Sequence, residues 1–328
     1  MIKLQLGATV VAFLCLCPVI GVAADQSGNA RALAADAAKD AQYVCPDKHP
    51  TEKVAADWAA SDWDKNSLAC AADAWAALSD AKIQDRALAV HALRITTNYM
   101  VLVNSFRDED LYSIHLVEYV ARINKAAVAG ERLDARVAGM AADDAEAFAA
   151  RGLYRMQAGH LGAKKDVLKA SKAALDLLER AVKGSPGAAD GDAVLELAKL
   201  YYTLPEFLGG DPDRTRQLLA DGVKVTPSNA GLVRYAAFVD AQDHRLDAAK
   251  AHLSDMLGLQ PVLGSTQRFA DELKGGTELA TRLGFSELAG HLAEKRSALF
   301  AQNASLLRRL PSAANLHGGV DPLTGKDY

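Results

Sequence analysis

Aromatic residues are sparse in this chain, 6 % of its 328 residues, and cysteines are sparser still, four in all. Runs of β-branched residues, the usual mark of strands, are missing beyond the first twenty positions. With half the chain hydrophobic and Ala, Leu, Lys, Glu and Arg plentiful, this excludes a β protein and predicts an all-α fold with a large buried core. No run of basic residues stands out and the formal net charge is −4, so nucleic acid and anionic membrane surfaces are not expected partners. Beyond the first 24 residues nothing is long and apolar enough to cross a bilayer. No Gly-x-Ser-x-Gly elbow, phosphate loop, dinucleotide fingerprint or Cys-x-x-Cys pair occurs. His91 and His115 sit on helical patterns; Glu118 would share a face with His115, but one such pair does not make a metal site. The expectation is therefore no enzymatic activity, no catalytic residue, no cofactor and no metal.

What is present begins with an export pattern. Lys3 precedes an apolar run over residues 6–16, and Val22, Ala23 and Ala24 offer the small residues a signal peptidase reads. Residues 1–24 are read as a cleaved signal, with Asp25 as the mature start and the periplasm as destination. Cys15 and Cys17 follow leucines rather than small residues, so a lipid anchor is not expected. Without residues 1–24 the charge is 36 basic minus 41 acidic, or −5. Cys45 and Cys70 remain, an even pair in an exported chain, and the expectation is a disulfide; two separate thiols are the alternative. That link would close a loop of 25 residues (70 − 45) and contribute ~3 kcal/mol through the unfolded state.

The remainder reads as a single helical domain, 25–310, with an extended tail over 311–328. Its first part, 25–140, has short helical patterns at 25–41, 51–60 and 67–78 and two long ones at 83–106 and 108–128, separated by a turn at Arg107. From 141 to 261 the pattern is regular. The pairs 145–158 with 163–183, 188–204 with 213–225, and 229–241 with 246–258 end near Pro186, Pro227 and Pro261. Pro227 and Pro261 lie 34 residues apart, the period of a tetratricopeptide repeat; Pro186 and Pro227 lie 41 apart, seven more. An ordinary helical bundle with coincidental prolines is the alternative. Residues 264–284 look less regular, with a turn at Gly275 and Gly276, and 285–310 reads as a closing helix.

The seven extra residues fall near 204–210, inside the stretch LYYTLPEFLGGDPDRTRQLLADGVKV at 200–225. Pro205 ends the helix carrying Tyr201 and Tyr202, Gly209 and Gly210 permit a sharp reversal, and Asp211, Pro212 and Asp213 restart a helix. Folding accounts for all of these. Phe207 and Leu208 are apolar in a loop: they either tuck into the core or wall a cavity with Tyr201, Tyr202 and Pro205. The aromatics of the long helices, Tyr99, Tyr112 and Tyr119 among them, are core or cavity wall on the same logic, with Asn98 and Asn104 placed to supply hydrogen bonds inside such a cavity.

The run YYTLPEFLGGDPDRTRQLL resembles the T component of TRAP transporters, the TatT-like family, at Leu204, Pro205, Gly209, Gly210 and Asp211. The resemblance covers 141–261 by helix pattern and the rest only by type. It departs in lacking a lipobox and in placing Thr215 where a small Ala is expected. It implies a periplasmic, all-helical, tetratricopeptide-like protein without enzymatic activity. It also implies an apolar or amphipathic ligand such as a lipid, sterol or hydrophobic solute, and partnership with a periplasmic solute-binding protein or membrane transporter component. It is compatible with a homo-oligomer. On this reading Tyr201, Tyr202, Pro205, Phe207, Leu208, Asn98, Tyr99, Tyr112, His115 and Tyr119 are the ligand-binding candidates. The competing reading is an interaction scaffold whose concave surface binds a protein and no small molecule.

Overall fold

A computed structural model describes residues 65–78, 83–109, 116–140, 144–159, 164–261 and 266–302. Among them the chain is all-α, without a strand. In chain order the helices are α1 Lys65–Ala77, α2 Arg86–Glu109, α3 Leu116–Gly139, α4 Ala145–Gly159, α5 Lys164–Gly184, α6 Asp192–Thr203, α7 Pro212–Val225, α8 Ala230–Gln242, α9 Leu246–Asp255, α10 Thr266–Arg282 and α11 Ser286–Gln302. Single 3-10 turns occupy Ala188–Gly191 and Glu206–Leu208. The expected signal, the helices at 25–41 and 51–60, Cys45 and the tail lie outside the described residues.

From α2 onward the helices pack as antiparallel pairs: α2 with α3, α4 with α5, α6 with α7, α8 with α9 and α10 with α11. The first helix of each pair also packs on the first helix of the next, so α2, α4, α6, α8 and α10 form a continuous row. The apolar core follows that row as successive clusters shared between neighbouring pairs. Trp75, Leu93, Met100, Leu133 and Tyr154 fill the space between α1 and α4. Leu178, Leu197, Leu200 and Tyr201 join α5 to α6. Leu195, Leu219 and Leu232 join α6, α7 and α8, and Leu253, Met256, Leu273 and Leu292 join the last two pairs. Alanine-rich faces allow close approach: Ala147, Ala149 and Ala150 of α4 are buried against their neighbours.

Helix starts obey local chemistry. Asp211 caps α7 by accepting the Arg214 N–H at 2.9 Å, with Pro212 in the first helical position. Asn229 caps α8 through the Leu232 N–H at 3.1 Å. Thr215, the departure from the small residue expected there, is fully buried, and its hydroxyl lies 3.1 Å from the Asp211 carbonyl oxygen.

Three expectations need correction. No turn falls at Arg107: α2 runs through Asp108 to Glu109. Acidic residues favour a helix start by only about 0.3–1 kcal/mol, too little to end a long helix. The following helix does not stop at Val128 but continues to Gly139, because Ala126, Ala129, Leu133 and Val137 extend its buried stripe. Nor do Gly275 and Gly276 form a turn: α10 passes straight through them. They are there for space. A Cβ at Gly275 would stand 2.9 Å from the Arg234 side chain, and one at Gly276 would stand 3.1 Å from the Met256 sulfur.

Candidate functional site

The residues singled out from sequence do not converge. Tyr201 faces the core between α5 and α6, and its hydroxyl donates to the Glu179 carboxylate. Burial, then the Glu179 contact, pushes that phenol well above its ordinary value. Tyr202, one residue on, points toward α8 instead, since consecutive helical side chains diverge by about 100°. Leu208 packs partly on the α5–α6 cluster. Phe207 neither tucks in nor joins Tyr201: it is 85 % exposed. Tyr99 is buried in the cluster between α1 and α4, with Asn98 half-buried beside it on α2. Tyr112 and His115 lie outside the described residues, and Tyr119 lies on α3. A cavity wall shared by Tyr201, Pro205 and Phe207 is therefore not what the elbow builds.

The elbow itself is a closed turn. The N–H groups of Leu208 and Gly210 donate to the Pro205 carbonyl at 2.8 and 3.1 Å, and the Asp211 N–H donates to the Tyr201 carbonyl at 2.8 Å. Gly209 has a φ of 96°, the left-handed region that favours glycine. A Cβ at Gly210 would meet the Leu204 carbonyl oxygen at 1.8 Å, so only glycine fits. Arg214 lies over the Tyr201 ring at 4.6 Å and pairs with Glu179 at 3.3 Å, tying the start of α7 to the end of α6.

A second constellation lies on the row of first helices. Asp192, Glu196, Lys199 and Thr203 recur at helical spacing along one side of α6, all half-buried. Arg234 and Phe238 form the corresponding stripe of α8, and Arg268 and Glu272 that of α10. Both terminal nitrogens of the Arg268 guanidinium grip the Asp192 carboxylate, one at 2.6 Å, so α10 reaches past α8 to α6. Asn229 Nδ2 donates to the same carboxylate at 2.9 Å. Glu272 of α10 pairs with Arg234 of α8, and Lys199 pairs with Glu196 at 2.6 Å. Three carboxylates thus face three cations in one partly buried patch.

The electrostatics match that geometry. Burial alone would raise the Asp192 carboxyl, but the charge and hydrogen bonds of Arg268, helped by Asn229 and Arg94, more than offset it and hold it below the usual carboxylate range. Glu272 shows the same contest: burial opposes ionisation, and the charges of Arg234 and Lys199 with the Arg234 hydrogen bond win. The network continues toward α2, where Arg94 reaches Asp190 at 2.8 Å and Glu146 at 3.7 Å. Glu146 in turn accepts the Ala189 N–H, holding a backbone turn in which Ala189 and Asp190 both have positive φ, 53° and 57°.

Beside this polar patch the same helices carry an aromatic cluster. Tyr235 and Phe238 of α8 stack with ring centroids 5.6 Å apart. Tyr202 of α6 meets them edge-on, 6.4 Å from Tyr235 and 6.0 Å from Phe238. Tyr202 and Phe238 remain half-exposed. Burial, then neighbouring Asp243, raises the Tyr202 phenol, and burial likewise raises that of Tyr235.

Sequence reading found Tyr202 but missed Tyr235, Phe238, Arg234, Arg268, Asp192 and Glu272. One signal was available: Arg234 and Arg268 lie 34 residues apart, the period set by Pro227 and Pro261. Their carboxylate partners follow no such spacing. The face presents paired charges beside aromatic rings. Among the described residues no group of three His, Cys, Asp or Glu could hold a metal ion, and no helix is long and apolar enough to cross a membrane. The chain matches no family model, and no curated protein matches it.

Proposed function

We propose that this chain is a periplasmic, non-enzymatic binding protein with tetratricopeptide-like helix pairs that holds an apolar or amphipathic small molecule and works with a transport system, as the TatT-like resemblance of residues 201–219 implies. The observation that carries the ligand reading is the aromatic cluster in which half-exposed Tyr202 and Phe238 meet buried Tyr235, beside the ion-paired patch on α6, α8 and α10. An amphipathic molecule would lay its apolar body on the rings and its polar end among the charges. The ligand surface is thereby moved from the elbow to the row of first helices.

Fluorescence titration with a dansyl-labelled fatty acid tests this. Wild-type protein is expected to bind it saturably, and Phe238→Asp to bind at least tenfold more weakly with unchanged helix content. Phe207→Asp is expected to bind like wild type. Equal binding by wild type and Phe238→Asp would remove the ligand from this face. A protein-docking reading, distinct from the concave-surface scaffold that would exclude a ligand, is favoured by one observation, the exposure of Phe207 on a closed turn. Ligand binding and partner docking occupy different surfaces and are not exclusive.

A further inference from the structure

Phe207 is the most exposed large apolar side chain among the described residues, ahead of Val128 at 74 %. Single exposed apolar residues are common and carry no meaning alone. What sets Phe207 apart is its backbone. The insertion is hydrogen-bonded on itself through the N–H groups of Leu208, Gly209 and Gly210, and onto the end of α6 through that of Asp211. Leu208 anchors its inner side to the core, while Gly210 is pressed against the Leu204 carbonyl. The insertion is thus a self-bonded turn that holds one phenyl ring in water. A ring on a pre-ordered backbone binds without a further loss of chain entropy, the property of interface anchors.

The surroundings of the ring specify its partner. Glu206 and Asp211 are exposed and have no ion-pair partner among the described residues, and the Asp213 side chain is 88 % exposed. Arg214 is directed to Glu179, and Arg216 pairs with Asp213 and Asp243, which leaves Glu206 and Asp211, among the described residues, as the unpaired acids of the elbow. The rim of the knob is therefore acidic, which disfavours anionic lipid and nucleic acid and complements a basic surface.

We infer that the elbow is a docking knob, in which Phe207 inserts into an apolar pocket rimmed by Lys or Arg on a protein partner. The inference goes beyond the ligand reading and stands without it, because Phe207 makes none of the ring contacts of the aromatic cluster. The test places a photoreactive benzoylphenylalanine at position 207 of the full chain in its own cells, with the same group at Val128 and Leu246 as controls. The protein cross-linked from position 207 and not from the controls is identified, purified and titrated. Binding is expected to weaken at least tenfold in Phe207→Ala and to weaken in Glu206→Lys. Wild-type affinity is expected to fall as salt is raised. The same Phe207→Ala protein retains the dansyl fatty acid, which separates failure of docking from failure of the ligand reading. Absence of a position-207 adduct, an adduct only to lipid or to a second copy of this chain, or unchanged affinity in Phe207→Ala would each overturn the inference.

Discussion

At the scale of the residue, Gly210 is the most constrained position of the elbow. A methyl group there collides with backbone rather than with a flexible side chain. Gly210→Ala is expected to cost about 2–4 kcal/mol, in the range of strained backbone substitutions, read as a lowered urea midpoint with little change in slope. Gly275→Ala meets only the Arg234 stem, which can shift, so a smaller loss is expected. The signals at this scale were legible where one residue sets its own backbone: Asp211 and Pro212 begin α7, and Pro205 ends α6. They were not legible where direction depends on the fold. Nothing local tells that Tyr201 turns inward and Phe207 outward, since both are aromatic residues flanking the same proline. The partners of Arg268 and Arg234 were equally hidden: Asp192 lies 76 residues from Arg268.

At the scale of the element, the pairing of α10 with α6 through Arg268 and Asp192 is the feature most exposed to test. Removing one member leaves the other partly buried without its partner, a loss of about 3 kcal/mol. Asp192→Asn and Arg268→Met are each expected to destabilise on that order. The double variant is expected to lose much less than the sum, because the contact is shared. Linkage gives the pH sign. Asp192 is held below its ordinary value in the folded chain, so its contribution is present above about pH 4, the unfolded carboxylate value, and is lost as pH falls through the lower folded value. The stability gap between wild type and Asp192→Asn should therefore be constant from pH 7 to 5 and shrink below about pH 4, as measured by thermal unfolding. Existence of the helices was legible from alanine-rich periodicity; their ends were not. A pair of glycines reads as a break, yet α10 keeps both because Arg234 and Met256 occupy the space their side chains would take. On α1, Cys70 is buried. Non-reducing digestion is expected to release its peptide linked to that of Cys45; labelling of both thiols in unreduced protein would contradict the link.

At the scale of the whole molecule, the row α2–α4–α6–α8–α10 gives the chain one continuous face made of the first helix of every pair. The all-α fold class was legible because composition carries it. Of the candidate face only Tyr202 was named from sequence, because that surface is assembled from three helices that meet only in the folded chain. The two faces identified, an amphipathic one on α6, α8 and α10 and an acidic-rimmed phenyl knob at the elbow, suit a protein that carries a molecule and is met by a partner. The ligand is the central claim, and native mass spectrometry of the protein purified without detergent from its own cells tests it most directly. The expected result is a population heavier than the polypeptide by the mass of an apolar or amphipathic molecule, extractable into organic solvent, lost in Phe238→Asp and kept in Phe207→Asp. A wild-type protein found only at its polypeptide mass, and unchanged after incubation with oleate, would contradict it.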